Sequence, residues 1–360
     1  MNEVYDVIVI GAGQAGLAAG YHLKKNGLHY AILEANPEPT GSWPQYYDNL
    51  RLFSPASYSS LPGMPFPLKA DIYPTRDEVI SYLKMYAKHN SFPIHFNVRV
   101  DRVKKNEFFY LHTTEGEVYR TKNIICATGS FNQPFVPKLE GGEDFKGTII
   151  HSSQYRKPDA YRNQRVIVVG RGNSAVQIGA EISEGASLTT LAVLQPVQLV
   201  PQRFLGKDVH FWMKIIGYDA FPFWRFGVTV GSPGGAIDVG GFKNKLREGQ
   251  LQQKGMFRKF YSEGVIWSDG TKEKVDSIIF ATGFKPIIPY LQGVEGALDD
   301  RGYAVQKGGL SSTVPGLYYL GLSGQRSFAS ATIRGVGSDA KYVVKHLKEG
   351  GLVRALRIKL

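Results

Sequence analysis

Two short glycine runs carry the residue types and spacing that could do chemistry. They are Gly11-Ala-Gly13-Gln14-Ala15-Gly16 and Gly170-Arg-Gly172-Asn173-Ser174-Ala175. Each follows an apolar, β-branched run and opens a stretch of helix-forming residues. In that setting the first glycine makes a tight turn, the second admits a pyrophosphate to the backbone, and the third lets helix and strand pack closely. The helix N-terminus adds oriented N–H groups and a positive dipole end. The expected chemistry is dinucleotide capture at both places.

The two sites differ at the next strand. Glu34 stands eighteen residues beyond Gly16 and can accept both hydroxyl protons of an adenosine ribose. It would repel a 2′-phosphate, so the first site is expected to take FAD or NAD. In the second unit the matching position is Val193, followed by Leu194 and Gln195. No carboxylate there repels a 2′-phosphate and no arginine clamps it. Gln195 can bond either a hydroxyl or a phosphate oxygen, so weak discrimination between NADPH and NADH is expected, with Arg171 and Arg203 as residues that would tilt it toward NADPH. One chain with two unlike dinucleotide sites points to a flavin reduced by a nicotinamide.

The elements that must position these residues follow from the pattern. Val4–Ile10 and Tyr30–Glu34 read as buried strands flanking a helix over Gln14–Asn26, with Gly27 in the position after its end. Residues 35–73 are rich in Pro, Gly, Ser and aromatics, a long loop of the kind that is usually functional. Thr75 caps a helix to about His89, with Asp77 and Glu78 in its first turn. Alternation over Ile94–Val118 suggests a hairpin, and Lys122–Ala127 a returning strand. Arg165–Val169, a helix through Glu184 and the strand Leu188–Val193 repeat the opening unit. Val275–Ala281 and Gly316–Gly321 are further glycine-ended strands. A last helix is expected over Thr332–Lys348, closed by Gly350-Gly351.

This predicts an α/β protein with two Rossmann-like dinucleotide-binding domains. The FAD domain is expected to be discontinuous, 1–155 and 282–360, with an NAD(P) domain, 156–281, inserted. Within the insert, Pro201–Gly249 reads as a lid or subunit contact whose Phe211, Trp212, Phe221, Phe223, Trp224 and Phe226 pack together.

Composition narrows the classes. The chain has 360 residues, 43% hydrophobic and 21% charged, as expected of a soluble enzyme of about two domains. Its formal charge of +12 is scattered, and no nucleic-acid module accompanies it, so nucleic-acid binding is not expected. Neither a basic leader nor a membrane-length apolar run is visible, which predicts a cytoplasmic protein. Cys126 is the one cysteine, which excludes an internal dithiol pair, a disulfide and a cysteine zinc site. Beside its turn on a buried strand it reads as a small core residue. No metal site is expected, and a homodimer is the default assembly.

Between the fingerprints lies Phe145-Lys-Gly147-Thr-Ile-Ile-His151-Ser-Ser-Gln-Tyr155. It resembles the FxGxxxHxxxY/F signature of class B flavin-dependent monooxygenases. Ala127-Thr128-Gly129 and Ala281-Thr282-Gly283 are similar to that family's ATG turns. The short chain, with Ser42-Trp43 and the run Leu50-Arg51-Leu-Phe-Ser-Pro55, resembles the small bacterial flavin-containing monooxygenases, including those of arsenic-resistance operons. The resemblance implies FAD, NADPH and O2, and a C4a-(hydro)peroxyflavin that gives one oxygen atom to a sulfide, amine or similar small-molecule nucleophile. It implies a linking role for His151 and packing roles for Phe145 and Tyr155. The cofactor set expected on these grounds is Gly11, Gly13, Gln14, Ala15, Gly16, Glu34, Trp43, Arg51, Val100, Ala127, Thr128, Gly129, Gly170, Gly172, Asn173, Ser174, Ala175, Gln195, Ala281, Thr282, Gly283 and Gln325. No catalytic acid or base is assigned. Two departures stand out: no Ser-Asn pair follows the long loop, with Asn49 the nearest asparagine, and Gln195 replaces the usual basic residue. A reductase of thioredoxin-reductase shape and a non-catalytic flavin redox sensor remain as alternatives.

Overall fold

The structure is a computed structural model that describes residues 3–222, 225, 235–238 and 241–357. Two parallel sheets organise it. Strand β1 (Val4–Ile10) runs between β2 (Tyr30–Leu33) and β6 (Val118–Cys126), with helix α1 (Gln14–Lys25) crossing from β1 to β2. Helix α2 (Arg76–Asn90) leads to β3 (Ile94–His95) beside β2, and strand Leu317–Tyr319 lies beside β6. The parallel order is therefore β3-β2-β1-β6-(317–319). Strands β4 (Val100–Lys105) and β5 (Phe109–Thr113) form an antiparallel hairpin, and β5 also pairs with β6. The hairpin expected over Ile94–Val118 is thus shorter, because β3 joins the parallel sheet instead.

The second sheet repeats the plan. Strand β9 (Arg165–Val169) lies between β10 (Leu188–Val193) and strand Ser277–Phe280, with α3 (Asn173–Ile182) crossing over. Strand Gln252–Gly255 lies beside β10, and β8 (Thr148–His151) closes the other edge. In the first sheet that last place is filled from the C-terminal part of the chain, in the second from the segment just before it. A two-residue ladder between β7 (Gln133–Pro134) and Phe284–Lys285 joins the chain passages between the halves.

Both faces of each sheet are buried. Val7, Val9, Leu17, Tyr82 and Val336 share one core with α1, α2 and the last helix, while Ile8, Ile10, Val103, Leu111 and Tyr319 form another. A parallel sheet covered on both faces is why β1 and β9 are nearly continuous apolar runs. The capping box predicted at Thr75 is present, with Glu78 reaching back to its backbone N–H at 2.7 Å. Short helices α4 (Val209–Ile215) and α5 (Phe242–Arg247) belong to the segment after β10.

The final helix α6 spans Ile333–Arg357 and runs through Gly350-Gly351 instead of ending there. Each glycine costs about 1 kcal/mol relative to alanine. The strong helix formers that follow, Leu352, Arg354, Ala355 and Leu356, carry the helix past them. Among the described residues, no helix is long and apolar enough to cross a membrane.

Candidate dinucleotide and flavin site

The first fingerprint is closely fitted. Gly11 has φ +101°, and a Cβ there would come within 3.0 Å of the Ala127 carbonyl oxygen. A Cβ on Gly16 would lie 1.8 Å from the Gly11 oxygen, a clash that no side-chain adjustment relieves. Gly41 of the long loop packs face to face with Gly13, 2.9 Å separating its would-be Cβ from the Gly13 Cα. Glu34 is buried, and its Oε2 accepts from Ala12 N–H at 2.6 Å. Its Oε1 accepts from the backbone and side-chain N–H groups of Asn36, at 2.9 and 2.8 Å. The carboxylate is therefore held rigidly at the strand end, the place where a ribose diol would meet it. Asn36 and Gly41 were not singled out from the sequence; an amide two residues past the acid and a loop glycine are weak signals.

Around that turn, Trp43 Nε1 donates to Gln14 Oε1 at 3.1 Å, and Gln14 Nε2 donates to the Ala331 carbonyl at 2.5 Å. One side chain thus ties the long loop to the segment ahead of α6. Thr128 Oγ1 lies 3.2 Å from Tyr290 Oη. Ser130 Oγ donates to Gly321 O at 3.2 Å and accepts from Ser323 N at 2.8 Å. Gln325 is buried and spends its side chain internally, accepting from Leu322 N–H and donating to Tyr319 O. Asp339 on α6 accepts from Ser330 Oγ at 2.6 Å and Arg326 Nη1 at 3.1 Å. Burial raises its pKa despite those two partners.

The second fingerprint is open. Gly170 is constrained like Gly11: φ is +139°, and a Cβ would come within 2.4 Å of the Ala281 oxygen. Gly172, by contrast, has nothing within 4 Å of a would-be Cβ, which leaves the approach to the helix start clear. Ala175, buried at the third position, fits without a clash. Asn173 Oδ1 accepts from Ile237 N–H at 2.9 Å, so its side chain anchors a neighbouring strand. Arg171 Nη1 donates to Gln195 Oε1 at 2.8 Å, Gln195 exposed and Arg171 half-buried. That pair places a cation at the end of β10, where the strand pattern alone showed none.

The two ATG turns answer the fingerprints. Ala127 N–H bonds Ile10 O, and Ala281 N–H bonds Val169 O, so each turn extends the strand beside its fingerprint. Gly129 and Gly283, at φ +77° and +82°, then turn the chain. Thr282 Oγ1 donates to the Phe135 carbonyl on the connecting passage.

The residues of the signature between the fingerprints link and pack. Ser153 N–H donates to His151 Nδ1 at 3.1 Å, leaving Nε2–H to donate to Gly283 O at 3.0 Å. Burial lowers the His151 pKa, and the Gly283 carbonyl opposes that only in part. The ring is thus a neutral bracket between β8 and the second ATG turn. Phe145 is buried against Phe260, and Gly147 leaves room for it: a Cβ would meet the Phe145 ring at 2.3 Å. Tyr155 is fully buried and donates to Glu181 Oε2 on α3 at 2.8 Å. Asn49 Nδ2 donates to the other oxygen of Glu181, and Tyr47 Oη to Gln177 at 2.5 Å. Asn49 therefore joins the long loop to the second fingerprint's helix.

Relatives place this arrangement. Residues 8–200 match the family described as pyridine nucleotide-disulphide oxidoreductase. An uncharacterised CzcO-like oxidoreductase of Geobacillus kaustophilus is 34% identical over 348 residues, 96% of this chain and 99% of that protein. The flavin-containing monooxygenase of Stenotrophomonas maltophilia is 31% identical, with a TM-score of 0.85 over 96% of this chain and 99% of that one. The chain belongs to this family, in the branch of the bacterial flavin-containing monooxygenases. The indole-3-pyruvate monooxygenase YUCCA4 of Oryza sativa is 28% identical over 398 residues, 96% of this chain and 89% of that protein.

The fold class, the family resemblance and the cofactor pair FAD and NADPH are thereby borne out, and the protein is a flavin-dependent monooxygenase. The glycine cradles and the rigid Glu34 fit such cofactors. Disulfide chemistry is not available within the chain: Cys126 is buried, which pushes its thiol up to about 12 even against a hydrogen bond with Tyr290. Of the remaining expected residues, Val100 lies buried at the start of β4, and Arg51 is exposed, its nearest acceptor Tyr73 O at 3.4 Å. Phe211 and Trp212 pack edge to face, Phe221 is exposed, and Phe223, Trp224 and Phe226 lie outside the described residues.

Proposed function

We propose that the protein uses NADPH to reduce bound FAD and then transfers one oxygen atom of O2 to a soft nucleophile, a sulfide, an amine or a similar centre. The balance is NADPH, H⁺, O2 and substrate in, and NADP⁺, water and oxygenated substrate out. FAD, when bound, would supply the hydride acceptor and the reduced ring that activates O2. The observation that carries this reading is the contrast between a sealed first cradle and an open second one. A resident flavin suits the former, and an exchanging nicotinamide coenzyme the latter.

The assignments follow that contrast. The FAD domain is 1–155 with 282–360, and the NAD(P) domain is 156–281, although β8 hydrogen-bonds into the second sheet. Glu34 holds the FAD ribose, and the backbone of Gly11–Gly16 faces its pyrophosphate. Gly170–Ala175 faces the NADPH pyrophosphate, and Arg171, steadied by Gln195, meets the 2′-phosphate. Because that cation is only half-buried, NADH is accepted as well, more weakly. His151, Tyr155 and Asn49 hold the halves in register. No side chain moves a proton in this account; the chain orients the rings and excludes water from them.

The test is rapid mixing of anaerobically NADPH-reduced enzyme with oxygenated buffer while the flavin spectrum is followed. A near-ultraviolet intermediate preceding oxidised flavin is expected. Direct return to oxidised flavin with stoichiometric hydrogen peroxide would overturn oxygen transfer and favour the reductase reading, to which the absent Ser-Asn pair points.

A further inference from the structure

Among the described residues, the seam between the halves contains two buried polar atoms, Arg334 Nη1 and His210 Nε2, without a hydrogen-bond partner. The first is in the first turn of α6, on a side chain only 5% exposed. The second is on α4, on a fully buried ring. Leaving such a group unpaired in the interior costs about 1–3 kcal/mol, more when it is charged. Both residues pack on Phe53 of the long loop: His210 stacks on it with centroids 5.9 Å apart, and the Arg334 guanidinium lies 5.9 Å from the same centroid.

The rest of each side chain is committed. Arg334 donates from Nε and Nη2 to both oxygens of Asp219, at 3.0 and 3.1 Å. This side-on pairing leaves the Nη1 edge facing away from Asp219. Phe328, 5.6 Å from the guanidinium, supplies a second aromatic wall. His210 Nδ1 is bonded to Asp208 Oδ1 at 2.7 Å, while Asp208 Oδ2 accepts from Tyr73 Oη at 2.5 Å and Gln202 Nε2 at 2.9 Å. Asp208 thus fixes the ring, and Nε2 is left without a partner among the described residues.

Charge selects the ligand. Arg203, Lys207, Lys214 and Arg334 border this seam, through Tyr73, Phe211, Tyr58 and Phe53 respectively, against the carboxylates Asp71, Asp208 and Asp219. Four cations against three carboxylates make an anion the favoured guest, and the aromatic walls favour an apolar body. Position ties the seam to the flavin end of the fold, since Arg334 follows by three residues the Ala331 whose carbonyl Gln14 holds.

We propose that Arg334 is a substrate-binding residue whose Nη1 edge takes the carboxylate of a small organic acid, with the apolar or aromatic body that bears the soft nucleophile against Phe53 and Phe328. Since Nη1 is buried, entry requires the Asp208–Asp219 segment to move off the long loop. This rests on the proposed oxygen transfer for its meaning but not for its test.

The probe is phenylacetate against its neutral isostere phenylacetamide, titrated by calorimetry into oxidised holoenzyme, where no turnover occurs. Wild type is expected to bind the acid about tenfold or more tightly than the amide. R334Q, checked for retained flavin and helicity, is expected to lose that preference. D219N, which keeps the guanidinium, is expected to keep it. Equal binding of acid and amide, a preference surviving in R334Q, or no phenylacetate binding below about 10 mM would each overturn the proposal. So would an R334Q enzyme that loses NADP⁺ affinity while keeping that for phenylacetate, since the cation would then serve the coenzyme. A failed oxygen-transfer test leaves all these outcomes readable.

Discussion

The two fingerprints occupy equivalent strand-turn-helix corners, yet they are finished differently. Around Gly11 the long loop closes over the turn, Gly41 against Gly13 and Trp43 against Gln14, and Glu34 is buried with both oxygens occupied. Around Gly170 the turn itself is as tight, but Gly172 faces open space and Gln195 stands exposed, bonded to half-buried Arg171. The shared feature is the first glycine, at positive φ and closely approached by its ATG turn, 3.0 Å from a would-be Cβ at Gly11 and 2.4 Å at Gly170. The difference lies in what covers the corner. A resident and an exchanging cofactor need the same phosphate geometry but opposite access, so the chain varies the cover and keeps the turn.

The largest effect expected from breaking this comparison is at the third fingerprint position. Gly16→Ala would drive a Cβ against the Gly11 carbonyl, and expression should yield protein without bound flavin and with a collapsed thermal transition. Ala175→Gly, the reverse exchange in the second corner, should cost about 1 kcal/mol in urea unfolding and leave flavin in place. Comparable damage from both would mean that the two corners are equally tight.

Next comes the buried acid. Glu34→Ala leaves Ala12 N–H without its acceptor, a loss of about 1–3 kcal/mol. FAD affinity, read from flavin fluorescence on dilution, should fall about ten- to a hundredfold. Unchanged affinity would detach Glu34 from the flavin.

Arg171→Ala should act on the open corner alone. The KM for NADPH should rise about five- to tenfold, that for NADH by less than about twofold, with melting temperature unmoved. An equal rise for both coenzymes would place Arg171 on a phosphate they share.

The smallest effect concerns the seam. Burial by itself would raise the Asp208 pKa, but hydrogen bonds from His210, Tyr73 and Gln202 outweigh it and hold the carboxyl at about 2. A pKa below the unfolded value stabilises the fold above that value, and the contribution is lost as pH falls from near 4 toward 2. Asp208→Asn should therefore melt lower than wild type at pH 7, with the gap narrowing below pH 4. A constant gap across that window would mean that the charge on Asp208 does not hold the seam.

Much of the fold was legible because its signals are local. Buried parallel strands read as apolar runs, Thr75 and Glu78 form the capping box their spacing announces, and Gly27 follows α1 with φ +64°. The end of α6 is not legible in this way, because Gly350-Gly351 reads as a stop whereas favourable neighbours carry the helix across it. The edge of the hairpin is not legible either, because alternation does not specify which partner a two-residue strand such as β3 takes.

The site divides in the same way. Residue order alone determined two dinucleotide corners, an acid in one and none in the other, and the absence of any internal dithiol. These depend on spacing within about twenty-five residues, so turn and helix geometry translate them directly. Only the tertiary structure decided that Arg171 supplies the cation missing beyond β10, that Asn49 and Tyr155 share Glu181, and that Arg334 meets Asp219 across 115 residues. Such pairs arise where separately folded surfaces meet, and no periodicity along the chain records which surfaces those are.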